Sequence, residues 1–419
     1  MGTATLQAAY VNFPYPITGA DRWLRDIGYC LWITAIVTFV TFAFTIITRY
    51  MRHPALLKKN LLEFPNSSYM GAIPISINSI MIGIVSYYDY RASGVWAAFV
   101  VWWIGLFFGL CVTIGVVIIQ MIRAAEQELS DVAGVWVMTT VPLLTTASSG
   151  ATLLPFLSTH STKCAIIVLV ISFMCWALGM AILNLILSVY FYRLIAYKLP
   201  AQPLLASSFL PIAALSQGAF AIQKMSIYLA SYIQSKGYGP TQVHPPPIPM
   251  STLQATQEVI HWMGIIMCLY LLAHATFWLV QAVTAILFKV PKSFNIGMWS
   301  FVFPLASYAN AWSFLSRDLR NDGMRGWAAM ITMLATITWL FCALCTTYFG
   351  LYQGSLFNAP GLEEWIGDPD QEGKKGRKAH QSNGTYSMGE PDEEKGETNG
   401  FNADGIDGQD HSAARRRAS

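Results

Sequence analysis

Residues 139–150 read TTVPLLTTASSG and residues 207–218 read SSFLPIAALSQG. Each stretch sets a proline in an apolar run and surrounds it with small or hydroxylated side chains. The same combination recurs at 71–78, GAIPISIN, and at 299–310, WSFVFPLASYAN. The four prolines, Pro74, Pro142, Pro211 and Pro304, are spaced by 68, 69 and 93 residues, the last interval lengthened by the loop YGPTQVHPPPIPMSTLQATQE. A repeat of that length holds a helical hairpin whose first helix carries the proline and whose second is plain and apolar.

The composition around the repeat is that of a membrane protein. Of 419 residues, 54% are hydrophobic and 12% charged, about half the charged share of a soluble domain. Nine apolar runs are long enough to cross about 30 Å of hydrocarbon: 24–49, 70–88, 94–122, 132–156, 165–192, 204–233, 258–288, 294–315 and 326–351. Lipid offers no partner to free backbone groups, so these runs are expected to be helices and the fold class all-α and polytopic. From Asn358 the chain carries net charge −5, against +8 before it. Its Gly-, Glu-, Lys- and Ser-rich segments bury too little apolar surface to fold. The expected division is therefore a transmembrane domain over 1–352 and a disordered acidic tail over 353–419.

A proline inside a helix frees a carbonyl and bends the chain, which a bundle tolerates where other protein groups or a watery lumen satisfy that carbonyl. Four such bends in register predict an inner ring of kinked helices inside an outer ring of straight ones. The lining expected of that ring is Gly2, Gly71, Pro74, Ser76, Pro142, Ser149, Gly150, Pro211, Gln217, Gly218, Gly297, Pro304 and Ser307. Counting one period back from Pro74 puts a fifth kinked helix near residue 6, in TATLQAAY. Residues 1–13 would then be only the second half of helix 1, about 20 Å long, and a complete chain is expected to carry the other half upstream.

All acidic residues between Ile27 and Gly350 sit at or beyond the ends of these runs. Cation and proton pathways ordinarily use intramembrane carboxylates, so their absence points to an anion or a neutral solute. Lys224, at the far end of the run that carries Pro211, is a candidate funnel for anions, or else an ammonium reaching for the interface. The histidines and the seven cysteines lack metal-ligand spacing, and no phosphate-binding glycine loop is present. Nothing points to a metal, another cofactor, a nucleic-acid partner or an enzyme's clustered catalytic groups.

Four stretches give the chain a resemblance to a known family: MGTATLQAAYVNFPYP (1–16), MGAIPIS (70–76), LPIAALSQGAFAIQ (210–223) and FNIGMWSFVFPLASYANA (294–311). They resemble the tellurite-resistance and dicarboxylate transporter family, which holds the slow-type plant anion channels, fungal malic acid transporters and fungal sulfite efflux pumps, and they look most like the last. The resemblance implies ten helices in five hairpins, the first truncated here, around a central pore lined by the odd-numbered helices. It further implies a plasma-membrane location, a cytoplasmic tail, a homotrimer and a pore-blocking phenylalanine, matched by Phe303 with Phe301 in reserve. Sulfite efflux is the leading activity and proton-coupled malate or C4-dicarboxylate transport the alternative. No arginine is read within the odd spans to clamp a dicarboxylate, which favours sulfite. Ile73, Ser76 and Ala306 depart from the sulfite-pump pattern and bear on which anion passes.

Overall fold

The computed structural model describes residues 1–15, 21–63, 66–123, 128–200, 202–236, 250–291 and 294–354, all within one compact unit, Met1–Phe357. The acidic tail beyond Gly354 and most of the 236–257 loop lie outside the described residues. The helices are α1 (Gly2–Val11), α2 (Asp21–Arg52), α3 (Pro54–Leu62), α4 (Ala72–Tyr88), α5 (Ala92–Leu110) and α6 (Val117–Arg123). They continue as α7 (Val141–His160), α8 (Thr162–Tyr197), α9 (Leu210–Lys236), α10 (Met250–Phe288), α11 (Val302–Asp318) and α12 (Asp322–Thr346). No strand occurs among the described residues. A wider-turn segment, Cys111–Val116, carries α5 into α6. α10 begins at Met250, so the stretch MSTLQATQE, read as loop from the sequence, is helix throughout.

Five pairs of successive helices pack as hairpins: α1 with α2, α4 with α5, α7 with α8, α9 with α10 and α11 with α12. The first members also pack on one another in the order α1, α4, α7, α9, α11 and back to α1, closing a ring. Each second member lies against the next first member as well: α2 on α4, α5 on α7, α8 on α9, α10 on α11 and α12 on α1. Burial follows this layering. α7 is buried without a break from Val141 to Leu154, whereas Phe44, Phe107, Leu185, Leu287 and Leu344 on the second members are largely exposed. An apolar exposed face on a polytopic helix is the surface that meets lipid.

Seven helical stretches of the described chain are long and apolar enough to cross a membrane, fewer than the nine expected. The two that fall short, 132–156 and 294–315, hold most of α7 and α11, in which Ser, Thr and Asn dilute the apolar residues. Both belong to the inner ring and bury that polarity against neighbours.

The prolines do not bend helix interiors as expected. Pro74 and Pro304 are the third residues of α4 and α11, and Pro142 and Pro211 the second residues of α7 and α9. Each of these helices is preceded by a tighter 3-10 segment: Ser68–Gly71, Gly134–Thr139, Gln202–Phe209 and Ile296–Phe301. In a first helical turn the missing N–H is one that has no intrahelical acceptor anyway, and the fixed φ suits the helix. The break in each inner span is therefore a 3-10-to-α junction with proline just inside it. Pro155, not read as part of the repeat, is the proline inside α7. The 3-10 segments stack in sequence around one end of the ring. Glycine permits their close approach: a Cβ on Gly71 would strike the carbonyl oxygen of Met138, and one on Gly134 that of Ser207.

Candidate functional site

The inner helices are joined by a closed circuit of side-chain hydrogen bonds, buried except at the half-buried Asn12. Thr5 and Ser79 share one at 3.3 Å between α1 and α4. Asn78 Nδ2 donates to Thr146 Oγ1 at 2.9 Å, and Ser149 Oγ donates back to Asn78 Oδ1 at 3.1 Å, joining α4 to α7. Ser148 Oγ donates to Gln217 Oε1 at 2.6 Å, and Gln217 Nε2 donates to Ser307 Oγ at 3.0 Å, so one amide links α7, α9 and α11. Asn12 Nδ2 donates to Asn310 Oδ1 at 2.8 Å and returns the circuit to α1. A buried polar group must find a partner, and within the circuit the partners are other neutral side chains, with Asn12 also accepting from Arg317.

Phe303 belongs to the same face as this circuit. Residues 303, 307, 310, 314 and 317 recur at helical spacing on α11, and Ser307 and Asn310 bond to α9 on one side and α1 on the other. Tyr308, on the opposite side of the helix, bonds outward to Thr276 of α10 at 2.6 Å. The Phe303 ring is fully buried one turn before Ser307, and a Cβ on Gly2 would come within 3.3 Å of the Phe303 nitrogen. Phe301 lies in the 3-10 segment and packs edge-on against Phe209, ring centres 4.9 Å apart, off that face.

At the other end of the inner helices the ring opens into a cavity of about 740 Å³ whose lining includes Arg25, Asp89, Lys224, Arg317 and Arg325. Arg25 pairs with Asp89 at 3.4 Å, both exposed, and the half-buried Arg325 with the exposed Asp322 at 3.0 Å. Lys224 and Arg317 have no acidic partner among the described residues. Lys224 Nζ donates to Thr152 Oγ1 at 3.3 Å and stands 4.6 Å from the Phe220 ring centre and 5.1 Å from that of Phe314. Arg317 donates to the Asn12 carbonyl at 3.0 Å and to its side-chain oxygen at 2.9 Å. Asp318, its neighbour in the chain, instead accepts from His261 and Gln223, each at 2.8 Å. A smaller cavity of about 390 Å³, lined by Trp23, Ile27, Leu31 and Trp339 among others, lies on α2 and α12 and is chiefly apolar.

The structure brings together only part of the lining expected from the sequence. Ser149, Gln217 and Ser307 belong to the circuit, and Lys224 to the cavity. Gly150 and Gly218 face outward: a Cβ on Gly150 would strike Ser172 Oγ and come 2.8 Å from the Trp102 indole nitrogen, and one on Gly218 would lie 2.9 Å from Met180 Sδ. They are contact points with the outer helices, because only a glycine lets those partners sit so near. Gly71 packs on its neighbouring 3-10 segment, Ser76 bonds back to the Ala72 carbonyl at 2.7 Å, and Gly297 is half-buried in the 3-10 segment before α11. The expectation that no odd span holds an arginine fails for Arg317, because α11 runs on to Asp318.

Asn12, Asn78, Thr146, Ser148 and Asn310 were not picked out from the sequence, although the repeat contains them. Ser148, Gln217 and Asn310 each follow their proline by six residues, and Asn12 follows the period position at residue 6 by the same step.

Closed inner ring, lipid-facing outer helices and polar inner face together define a polytopic membrane transport protein. The chain matches the family described as voltage-dependent anion channel (SLAC1) over residues 1–347, and it belongs to that family of anion transporters. It is 24% identical over 351 residues to the sulfite efflux pump SSU1 of Arthroderma benhamiae, covering 83% of this chain and 88% of that protein. Identity and coverage are the same for the sulfite efflux pump SSU1 of Trichophyton rubrum. The sulfite efflux pump SSU1 of Candida albicans is 22% identical over 236 residues, 56% of this chain and 47% of that protein.

Proposed function

We propose that the protein exports a small inorganic anion, sulfite foremost, across the plasma membrane through the centre of the ring formed by α1, α4, α7, α9 and α11. The observation that carries this reading is the face of α11 on which a buried phenyl ring, two neutral hydrogen-bonding residues and a cation follow one another. On this reading Phe303 is the gate. Its ring fills the lumen and excludes water, and the neutral layer below it offers amide and hydroxyl donors to an anion shedding its hydration. The hydrogen bonds that close the layer make this the shut state. The tail lies on the cytoplasmic side, and the protein is a homotrimer.

Malate transport stays in view because Arg317 supplies the guanidinium that a dicarboxylate would need. The activity for which the relatives are named favours sulfite. The test is flux through liposomes containing the purified protein, measured with sulfite, malate, nitrate and chloride side by side. Sulfite flux above that of malate is expected. Malate flux without sulfite flux would reverse the assignment, and flux of neither would remove it.

A further inference from the structure

We propose that the cavity at the end of the ring is a binding site for small oxyanions, with Lys224 and Arg317 as its ligands and Arg325 at its rim. The proposal rests on the reading of the ring as an anion pathway but concerns binding rather than passage.

Three observations point the same way. Lys224 and Arg317 each lie thirteen residues after the proline of their helix, so they stand at one depth on adjacent inner helices and line one cavity. Neither has an acidic partner among the described residues: Asp89, the carboxylate in the cavity lining, is paired with Arg25, and Asp318, next to Arg317 in the chain, is held by His261 and Gln223. Both cations are instead positioned by neutral groups, Lys224 by Thr152 and two phenyl faces, Arg317 by Asn12. Lastly, Arg325, which donates to Asp322 through Nη1, keeps a buried Nε–H without an acceptor among the described residues, and a buried donor left unpaired disfavours the structure until something accepts from it.

The donor set selects the ligand. A guanidinium presents a planar fork that suits two oxygens of one anion, and an ammonium adds a compact charge with rotatable donors. Oxygens arranged around a central atom, as in sulfite or sulfate, satisfy both at once, whereas a halide offers a single centre. Repulsion between two unneutralised cations in one cavity is relieved when an anion sits between them. Cations near helix C-termini also complement the helix dipole, and that explanation alone would account for Arg317 in the last turn of α11. It does not account for Lys224, which stands well inside α9.

The experiment is thermal unfolding of the purified full chain in detergent, titrated with sodium sulfite, sodium sulfate or sodium chloride at constant ionic strength. Sulfite and sulfate are expected to raise the midpoint in the parent and chloride to leave it unchanged. Lys224→Gln should weaken apparent sulfite affinity about tenfold or more, the loss of one charged hydrogen-bonding partner. Lys224→Arg should retain most of the response. Lys163→Gln, which removes an exposed cation outside the cavity at the start of α8, should match the parent. An equal response to chloride, or an undiminished response in Lys224→Gln, would overturn the site. Because binding is read without transport, a normal titration beside absent sulfite flux condemns the transport reading alone, and normal flux without saturable stabilisation condemns the site alone.

Discussion

Replacing Phe303 with alanine separates gate from packing. The ring is fully buried, and in an ordinary core that truncation would cost about 3–5 kcal/mol of stability. If the ring instead plugs a lumen, water can enter the vacated space, and the cost should fall well below that range. Flux should rise at least about tenfold, equivalent to about 1.4 kcal/mol off the barrier. It should not rise to its limit, because the Gln217 bridge to Ser148 and Ser307 still closes the layer one turn further on. Those two bonds are worth about 0.5–1.5 kcal/mol each, so together they hold back roughly one to two further decades. An order of effects follows. Gln217→Ala alone leaves the phenyl plug in place and changes flux little, Phe303→Ala opens the path partly, and the double variant opens it further. Sulfite efflux from preloaded liposomes, paired with unfolding midpoints, reads both quantities. Parental flux in Phe303→Ala together with a full core-type loss of stability would refute the gate. High flux in Gln217→Ala with Phe303 intact would place the barrier elsewhere.

Two further substitutions test the scaffold. Gly134→Ala drives a methyl group into the Ser207 carbonyl oxygen, a backbone atom with little freedom to retreat. Overpacking of that kind should lower stability by about 1–3 kcal/mol, seen as an earlier unfolding midpoint, and a parental midpoint would show that the stacked 3-10 segments give way easily. Asn78→Ala removes the amide that serves both Thr146 and Ser149. Both hydroxyls keep a backbone acceptor, Pro142 for Thr146 and Thr146 for Ser149, so the loss should be about 0.5–1.5 kcal/mol for each bond removed, whereas an unchanged midpoint would mean that water fills the place.

The hairpin plan was legible because the proline period and the apolar runs are properties of the chain itself. Which face each inner helix turns to its neighbours was not. Gly150 and Gly218 share the small-residue character of a lumen lining, yet their hydrogens meet α8 and α5, because close backbone approach and a narrow lumen call for the same residue types. Only packing distinguishes the two roles. The proline junctions are hidden in the sequence for a related reason: a proline in a long apolar run looks interior until the 3-10 segment before it shortens the α-helix. Position within the repeat was the neglected signal. The polar side chains six residues after three of the prolines join the circuit, and the cations thirteen after two of them line the cavity.

That separation along the repeat bears on how an anion would leave. A cation in the neutral layer, 4 Å from a passing anion at an effective dielectric near 20, would hold it by about 4 kcal/mol. Such a hold would slow release by about three decades. Seven residues of helix set the backbones of Lys224 and Arg317 about 10 Å from the layer of Gln217 and Asn310; the Arg317 guanidinium reaches back through Asn12, which bonds both it and Asn310, to within about 8 Å, where the same attraction is about 2 kcal/mol per charge. On the proposed reading the cations can concentrate anions at the mouth without trapping one at the constriction. Moving a charge inward, as in Gln217→Lys, should therefore tighten sulfite binding while lowering maximal flux. Stronger binding with faster flux would show that passage through the neutral layer is limited by the dehydration of the anion rather than by its release.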